Sequence, residues 1–200
     1  MACQIISTDI PDVLVLKPQV FGDARGFFLE SFNQRDFQKV TGLNPVFVQD
    51  NHSRSAKGVL RGLHYQIEKP QGKLVRVLQG EVLDVAVDLR PGSLTLGRTV
   101  VQRLSAENHL QMWIAPGFAH GFLVLTDSAD FAYKTTEYWY PALERSLRWN
   151  DPDLNIQWPL AEMGLNQPVL AAKDADAPGW REYLQQIQTP NDIQPGSGWK

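Results

Sequence analysis

The stretch KLVRVLQGEVLDVAVDL, residues 73–89, decides the fold class. After Gly80, Leu83, Val85, Val87 and Leu89 fall on one face, while Val82, Asp84, Ala86 and Asp88 fall on the other. This period of two predicts strands over 73–79 and 81–89. The first face of the second strand reads as dry and the other as mixed, with Asp84 and Asp88 forming a wet edge of the pattern. An acid projecting into a barrel is tolerable only where it meets a ligand or a partner side chain.

Working outward, the same kind of run recurs in DVLVLKP (12–18), GFFLESF (26–32), PVFVQDNHS (45–53), GVLRGLHYQ (58–66), RTVVQRL (98–104), QMWIA (111–115), HGFLVLT (120–126) and FAYKTTEYW (131–139). Gly, Pro and Asp/Asn punctuate the intervals, as in a sandwich or barrel. The reading is an all-β domain. Helical signals are few. NQRDFQKVTG (33–42) offers an Asn33 cap and a Gly42 stop, and Trp180, Tyr183, Leu184 and Ile187 make a one-faced stripe inside PGWREYLQQIQ. One domain over residues 1–188 is expected, with TPNDIQPGSGWK (189–200) as a flexible tail.

Composition narrows the function. The 200 residues are 43% apolar and carry a formal charge of -3, with basic residues scattered rather than clustered. That excludes the electrostatic footprint of a nucleic-acid binder. No apolar run is long enough to span a bilayer, and the N-terminal residues lack the pattern of a signal peptide. The single cysteine, Cys3, has no partner for an internal disulfide, so a reducing cytoplasm is the expected location.

The candidate chemistry is correspondingly plain. The four histidines, His52, His64, His109 and His120, include no HxH pair, so no metal site is expected. Neither a GxSxG elbow nor a Gly-rich phosphate loop is present. Acid and base chemistry with ordinary side chains remains: His64 as base, Tyr133 or Tyr138 as acid, and Lys73 and Arg61 as positive charges. Each also has a packing reading. His64 reads as a satisfied strand residue, Lys73 as a solvated strand end, and Arg61 as an edge-strand charge that deters aggregation. Strict alternation places Arg61 and His64 on opposite faces, so both reach one ligand only if the strand twists or bulges, and Gly62 between them permits that.

Taken together, the fragments DARGFFLESF (23–32), VQDNHSRSAKGVLRGLHYQ (48–66), QGKLVRVLQGEVLDVAVDLRPGS (71–93), PGFAHGFLVL (116–125), YKTTEYWYP (133–141), WNDPDLNIQWP (149–159) and AAKDAD (171–176) resemble, in order, the dTDP-4-dehydrorhamnose 3,5-epimerase family. The resemblance implies a cupin-like jelly roll with a few short peripheral helices and a cytoplasmic homodimer with exchanged N-terminal strands. It implies neither metal nor cofactor. The implied substrate is a dTDP-4-keto-6-deoxy sugar whose carbons 3 and 5 are inverted on the route to dTDP-L-rhamnose.

Carried over by motif, the resemblance makes His64 of RGLHYQ the base and Asp174 of AAKD the acceptor of its other ring N–H. It makes Tyr133 of YKTT the acid on the opposite face and places Lys73 of QGKLVR near the enolate oxygen. Arg25, Glu30, Gln49, Asn51, Arg61, His120, Glu144 and Lys173 match substrate-contacting positions, some expected from a neighbouring subunit. Trp139 stands where the family commonly has a thymine-stacking tyrosine, and Ala172 where it usually has Ser or Glu. Two alternatives stay open: a mono-epimerase acting at carbon 5 or carbon 3 only, and a protein of another class, either a non-catalytic sugar-nucleotide-binding cupin or a ketoisomerase.

Overall fold

The structure, a computed structural model, describes residues 3–188. The expected tail at 189–200 lies outside the described residues. Along the chain run β1 (Gln4–Ser7), β2 (Val13–Lys17), β3 (Val20–Asp23), β4 (Gly26–Leu29), α1 (Gln34–Thr41), β5 (Gln49–Ala56), β6 (Leu60–Gln66), β7 (Lys73–Gln79) and β8 (Glu81–Asp88). Then follow β9 (Thr99–Ser105), β10 (Gln111–Ile114), β11 (Phe118–Val124), β12 (Ser128–Thr135), β13 (Glu144–Ser146), α2 (Ala172–Ala175) and α3 (Trp180–Gln188).

Two antiparallel sheets face each other as a jelly-roll barrel, one ordered β1-β2-β10-β7-β12-β5 and the other β13-β6-β11-β8-β9. A separate two-stranded hairpin, β3-β4, joins neither. Between the sheets lies a core of Val13, Val15, Val75, Val77, Val82, Ala86, Met112, Ile114, Phe122 and Phe131, nearly all water-free. Phe122 and Phe131 reach across from opposite sheets and stack with ring centroids 4.1 Å apart, tying the layers together.

The sequence pattern is recovered with instructive differences. Asn33 accepts from the Arg35 and Asp36 N–H groups, and Gly42, at φ 73°, ends α1 as read. The α3 stripe packs Trp180 and Tyr183 against Leu63, Val85, Val87 and Leu89 on the outside of the second sheet. The reading of β8 is corrected: the α3 layer covers the face of Val85, Val87 and Leu89, the other face turns into the barrel with Val82 and Ala86, and Asp84 and Asp88 are both fully buried, so neither face is wet. The run at 26–32 proves to be the second half of a hairpin that stops at Leu29. The strand read at 45–53 runs instead from Gln49 to Ala56, and that read at 131–139 spans 128–135, both fixed by the pairing of β5 with β12. Tyr138 and Trp139 consequently sit on a loop. Strands β1, β3 and β13 and helix α2 were not read from the sequence.

Asp88 is held by a network that shapes the turn after β8. Its carboxylate accepts from the Arg90 backbone N–H at 3.0 Å, from Arg90 Nε and Nη2 at 2.8 and 2.7 Å, and from the Ser93 and Thr95 hydroxyls at 2.7 and 2.6 Å. Arg90 continues to Asp12 at 2.9 Å, tying this turn to the start of β2. Burial pushes the Asp88 carboxyl up, but these hydrogen bonds prevail and bring it down from 3.8 to about 2. A depressed carboxyl contributes stability that is complete above the unfolded value and is lost as pH falls through the folded one. Urea unfolding should therefore show about 2 kcal/mol of stability lost between about pH 4 and pH 2. The Asp88→Asn variant should lack that portion at neutral pH and show a flatter acid limb; an unchanged limb would remove Asp88 from it.

Candidate active site

One end of the barrel opens into a cavity of about 260 Å³ whose walls come from both sheets. From the first sheet, period-two alternation brings Gln49, Asn51 and Ser53 of β5, Phe131 and Tyr133 of β12, and Lys73 of β7 to the interior. Arg61 and His64 of β6 and His120 and Phe122 of β11 form the facing wall. Trp139, Glu144 and Lys173 stand at the rim, on the β12-β13 connection, β13 and α2 respectively.

Arg61 and His64 share the cavity because β6 bulges. His120 pairs with His64 but Phe122 pairs with Arg61, so three residues of β6 oppose two of β11. Gly62 carries the bulge at φ +115°, and the Gly62–Leu63 peptide bond is cis. A Cβ at residue 62 would lie 2.6 Å from the Gly121 Cα and 2.7 Å from the His120 carbonyl oxygen. Position 62 therefore excludes every side chain on both conformation and space. β6 lies between β13 and β11, so Arg61 is not an edge-strand charge. Its Nε donates to the Ser55 hydroxyl at 2.9 Å.

His64 meets Asp174 at 2.6 Å through Nε2. Because a carboxylate only accepts, Nε2 carries the proton and Nδ1 keeps its lone pair. Asp174, 1% exposed, also accepts from the Ser146 hydroxyl at 3.0 Å and the Gly62 N–H at 3.3 Å. Burial raises the Asp174 carboxyl, but the hydrogen bond from His64 and its other donors outweigh this and leave it below the ordinary value. The side chain is thus a fixed anion aligned on the imidazole.

Opposite stands Tyr133, whose phenol is pushed up by burial and by the Glu144 carboxylate, against an opposing pull from Arg61. It stays protonated and able to donate. Lys73 is buried and makes no hydrogen bond or ion pair with the described residues, so it is no solvated strand end. Burial lowers it from 10.5 to about 8, partly countered by Glu144 and Asp84. A desolvated ammonium without a protein ligand is a receptor for an oxyanion.

His120 lines the wall with its ring Nε2 3.0 Å from each oxygen of Asp84. At the rim, Glu144 binds Lys173 and accepts from Trp139 Nε1 at 3.2 Å, while Gln49 Oε1 accepts from the Trp139 backbone N–H at 3.0 Å. Burial raises the Glu144 carboxyl, but the Lys173 hydrogen bond and neighbouring positive charge bring it below its usual value.

The structure thus gathers the residues singled out from the sequence except three, Arg25, Glu30 and Tyr138. Arg25 sits on the exposed β3-β4 turn, paired with Asp23 at 2.6 Å. Glu30 lines a different cleft, with Cys3, Phe32 and Phe37. Tyr138 does not line the cavity, which leaves Tyr133 as the tyrosine placed to donate. Sequence reasoning passed over Ser146, Gln71 and Ser53, and read Asp84 only as a wet-face acid. Asp84 carried a signal, because it shares a strand face with Val82 and Ala86, both of which point into the barrel; Ser146 carried none.

The geometry has a counterpart among known proteins. The family model for dTDP-4-dehydrorhamnose 3,5-epimerase matches residues 7–182. The Pseudomonas aeruginosa protein named dTDP-4-dehydrorhamnose 3,5-epimerase is 62% identical over 165 residues, 82% of this chain and 89% of that protein. The crystal structure of dTDP-6-deoxy-D-glucose-3,5-epimerase RmlC from Legionella pneumophila, in complex with dTDP-4-keto-L-rhamnose, superposes with a TM-score of 0.84 at 53% identity, covering 88% of this chain and 92% of that one. ChmJ, a 3′-monoepimerase from Streptomyces bikiniensis in complex with dTDP-quinovose, superposes at 0.77 with 32% identity over 88% and 93% of the two chains.

The bulge supplies a direct test of how the site is assembled. Gly62→Ala forces a Cβ into the β11 backbone and should cost about 3 kcal/mol or more. Its urea midpoint should fall well below that of a control alanine placed at an exposed strand position. A variant of wild-type stability would mean that the bulge is not constrained as described.

Proposed function

The chain belongs to the dTDP-4-dehydrorhamnose 3,5-epimerase family, and from that membership we propose how its own residues carry out the reaction. It is an isomerase that inverts carbons 3 and 5 of dTDP-4-dehydro-6-deoxy-D-glucose to give dTDP-4-dehydro-L-rhamnose, in dTDP-rhamnose biosynthesis. The observation that carries the residue assignment is the set of three groups in one cavity: the His64–Asp174 pair on one wall, Tyr133 on the other, and the unligated buried ammonium of Lys73.

The ketone at carbon 4 acidifies the hydrogens on both flanking carbons, since the electron pair left behind delocalises onto oxygen. Nδ1 of His64 takes the proton, and Asp174 steadies the resulting imidazolium. The enolate oxygen lies against Lys73, whose charge acts strongly because its side chain is buried. Tyr133 then delivers a proton to the opposite face, and the carbon is inverted. His64 releases its proton to solvent and Tyr133 regains one, so the cycle is proton-neutral and serves each carbon in turn.

Arg61, Gln49, Asn51, His120, Glu144 and Lys173 are assigned to holding the substrate, the arginine by pairing its planar fork with diphosphate oxygens. Trp139, half-exposed at the rim, offers its ring to the thymine. Arg25 and Glu30 are assigned to the site of a second copy. The β3-β4 hairpin that bears Arg25 shows Phe27 and Phe28 at 64% and 62% exposure, an apolar surface that favours a homodimer. Since β1 pairs with its own β2, the segment proposed to cross over is β3-β4. The cytoplasm is the proposed location: Cys3 is a free thiol, and among the described residues no helix is long and apolar enough to cross a membrane. Inversion at a single carbon is less favoured, because the monoepimerase is 32% identical and the 3,5-epimerases above 53% and 62%.

Incubation with the 4-keto sugar nucleotide in D2O should place deuterium at carbons 3 and 5; label at one carbon would establish a mono-epimerase, and none a binding protein. His64→Ala should lose exchange at both carbons, and Tyr133→Phe should retain exchange while epimerisation falls about 10²–10⁴-fold. Wild-type epimerisation by Tyr133→Phe would remove it as the acid. For the assembly, sedimentation should show a dimer that the combined Phe27→Asp and Phe28→Asp changes convert to monomer with loss of activity. A fully active wild-type monomer would contradict the crossover.

A further inference from the structure

Asp84 is the one acid of the cavity region for which the reaction so far has no use. It is fully buried behind the His120 wall, and its hydrogen bonds come from one donor, His120 Nε2, at 3.0 Å to each oxygen. A carboxylate so placed is poorly compensated for its loss of water and requires a nearby positive charge. Two groups can supply it: His120, by taking a second proton, or Lys73.

The surroundings choose between them. Burial lowers the His120 imidazole, and the Asp84 carboxylate raises it without overcoming that burial, so the ring is neutral. Its proton is on Nε2, facing the acceptor-only carboxylate, and Nδ1 keeps a lone pair. Lys73 is then the compensating cation: its side chain is buried, makes no hydrogen bond or ion pair with the described residues, and is favoured in its charged form by Glu144 first and Asp84 second. The other groups around Lys73 are already committed. Glu144 of β13 is bound to Lys173 of α2 and to Trp139; His64 of β6 is bound to Asp174; Arg61 of β6 is a second cation; Tyr133 of β12 is a protonated phenol.

We propose that Asp84 is a positioning residue for the epimerisation: it fixes His120 as the Nε2–H tautomer and, from behind the wall, adds to Glu144 the negative charge that favours Lys73 as an ammonium. Asp84 touches no substrate. Its charge acts on the cation that meets the enolate oxygen, so the inference rests on the role given above to Lys73. It also gives His120 a defined part, since with Nδ1 unprotonated the ring accepts, rather than donates, a hydrogen bond from a sugar hydroxyl.

Asp84→Asn preserves the shape and an acceptor for His120 while removing the charge. The alkaline limb of kcat, set by Lys73, should move down by one pH unit or more, with kcat at pH 8 reduced at least tenfold and KM within twofold. Asp84→Glu, which restores the charge, should return the limb toward its wild-type position even if kcat stays low. An unmoved limb in folded Asp84→Asn overturns the proposal, as does a change confined to KM. Should Asp84→Asn fail to fold, imidazole ¹⁵N spectra of the wild type and of Lys73→Met decide. They should show His120 as neutral Nε2–H, titrating at least one unit higher once Lys73 is gone; an Nδ1–H tautomer or an unaltered titration overturns the proposal. If Lys73→Met turns over normally, the enolate role of Lys73 fails. If it is inactive while Asp84→Asn keeps the wild-type limb, only the role of Asp84 fails.

Discussion

The site depends on a constraint of strand geometry. Side chains three apart on a regular strand point to opposite faces, yet Arg61 and His64 line the same cavity. The extra residue in β6 resolves the conflict, and it is possible because the chain at Gly62 packs against Gly121 at a distance where a Cβ would collide. The bulge does a second thing at the same place. It turns the Gly62 N–H toward Asp174, which also receives His64 and Ser146, so the backbone irregularity that aims the base contributes a donor to the acid that orients it. Local backbone shape, tautomer and charge are fixed by one small region.

Much of this was legible in the sequence, and for definite reasons. Period-two alternation marked the barrel strands because each is packed between two layers or between a layer and solvent. The need for a twist or bulge followed from the spacing of Arg61, Gly62 and His64 once both were expected at one ligand. What was illegible depended on contacts distant along the chain. β8 looked half-wet because a strand pattern cannot show that the face carrying Asp84 and Asp88 is the one turned into the barrel, where both are buried. Strand ends were misjudged where pairing, not composition, sets the limit, as at Thr135. Ser146 had no signal because its only distinction is to lie within reach of Asp174, 28 positions onward.

The positions of Arg25 and Glu30 carry a different lesson. Both lie in a fragment that belongs to the family pattern, yet within one chain neither reaches the cavity that their fellow motif residues form. A hairpin paired to neither sheet, bearing phenylalanines on its surface, is a poor final state for an isolated barrel. The association proposed above would cover that apolar surface and bring Arg25 and Glu30 to a neighbouring cavity together.

The cavity wall contains two histidine–carboxylate pairs on neighbouring strands, His64 and His120 being cross-strand partners. Chemically they are the same pair, and their surroundings separate them. Asp174 has three donors, and its histidine side chain is 22% exposed, open enough to exchange protons with substrate and solvent. Asp84 has one donor, and its histidine side chain is 7% exposed, so charging that ring would require hydrating a group that burial keeps dry. On the proposed mechanism the first pair is the working base and the second a fixed electrostatic field, and the difference lies in how many hydrogen bonds and how much water each carboxylate and ring can reach.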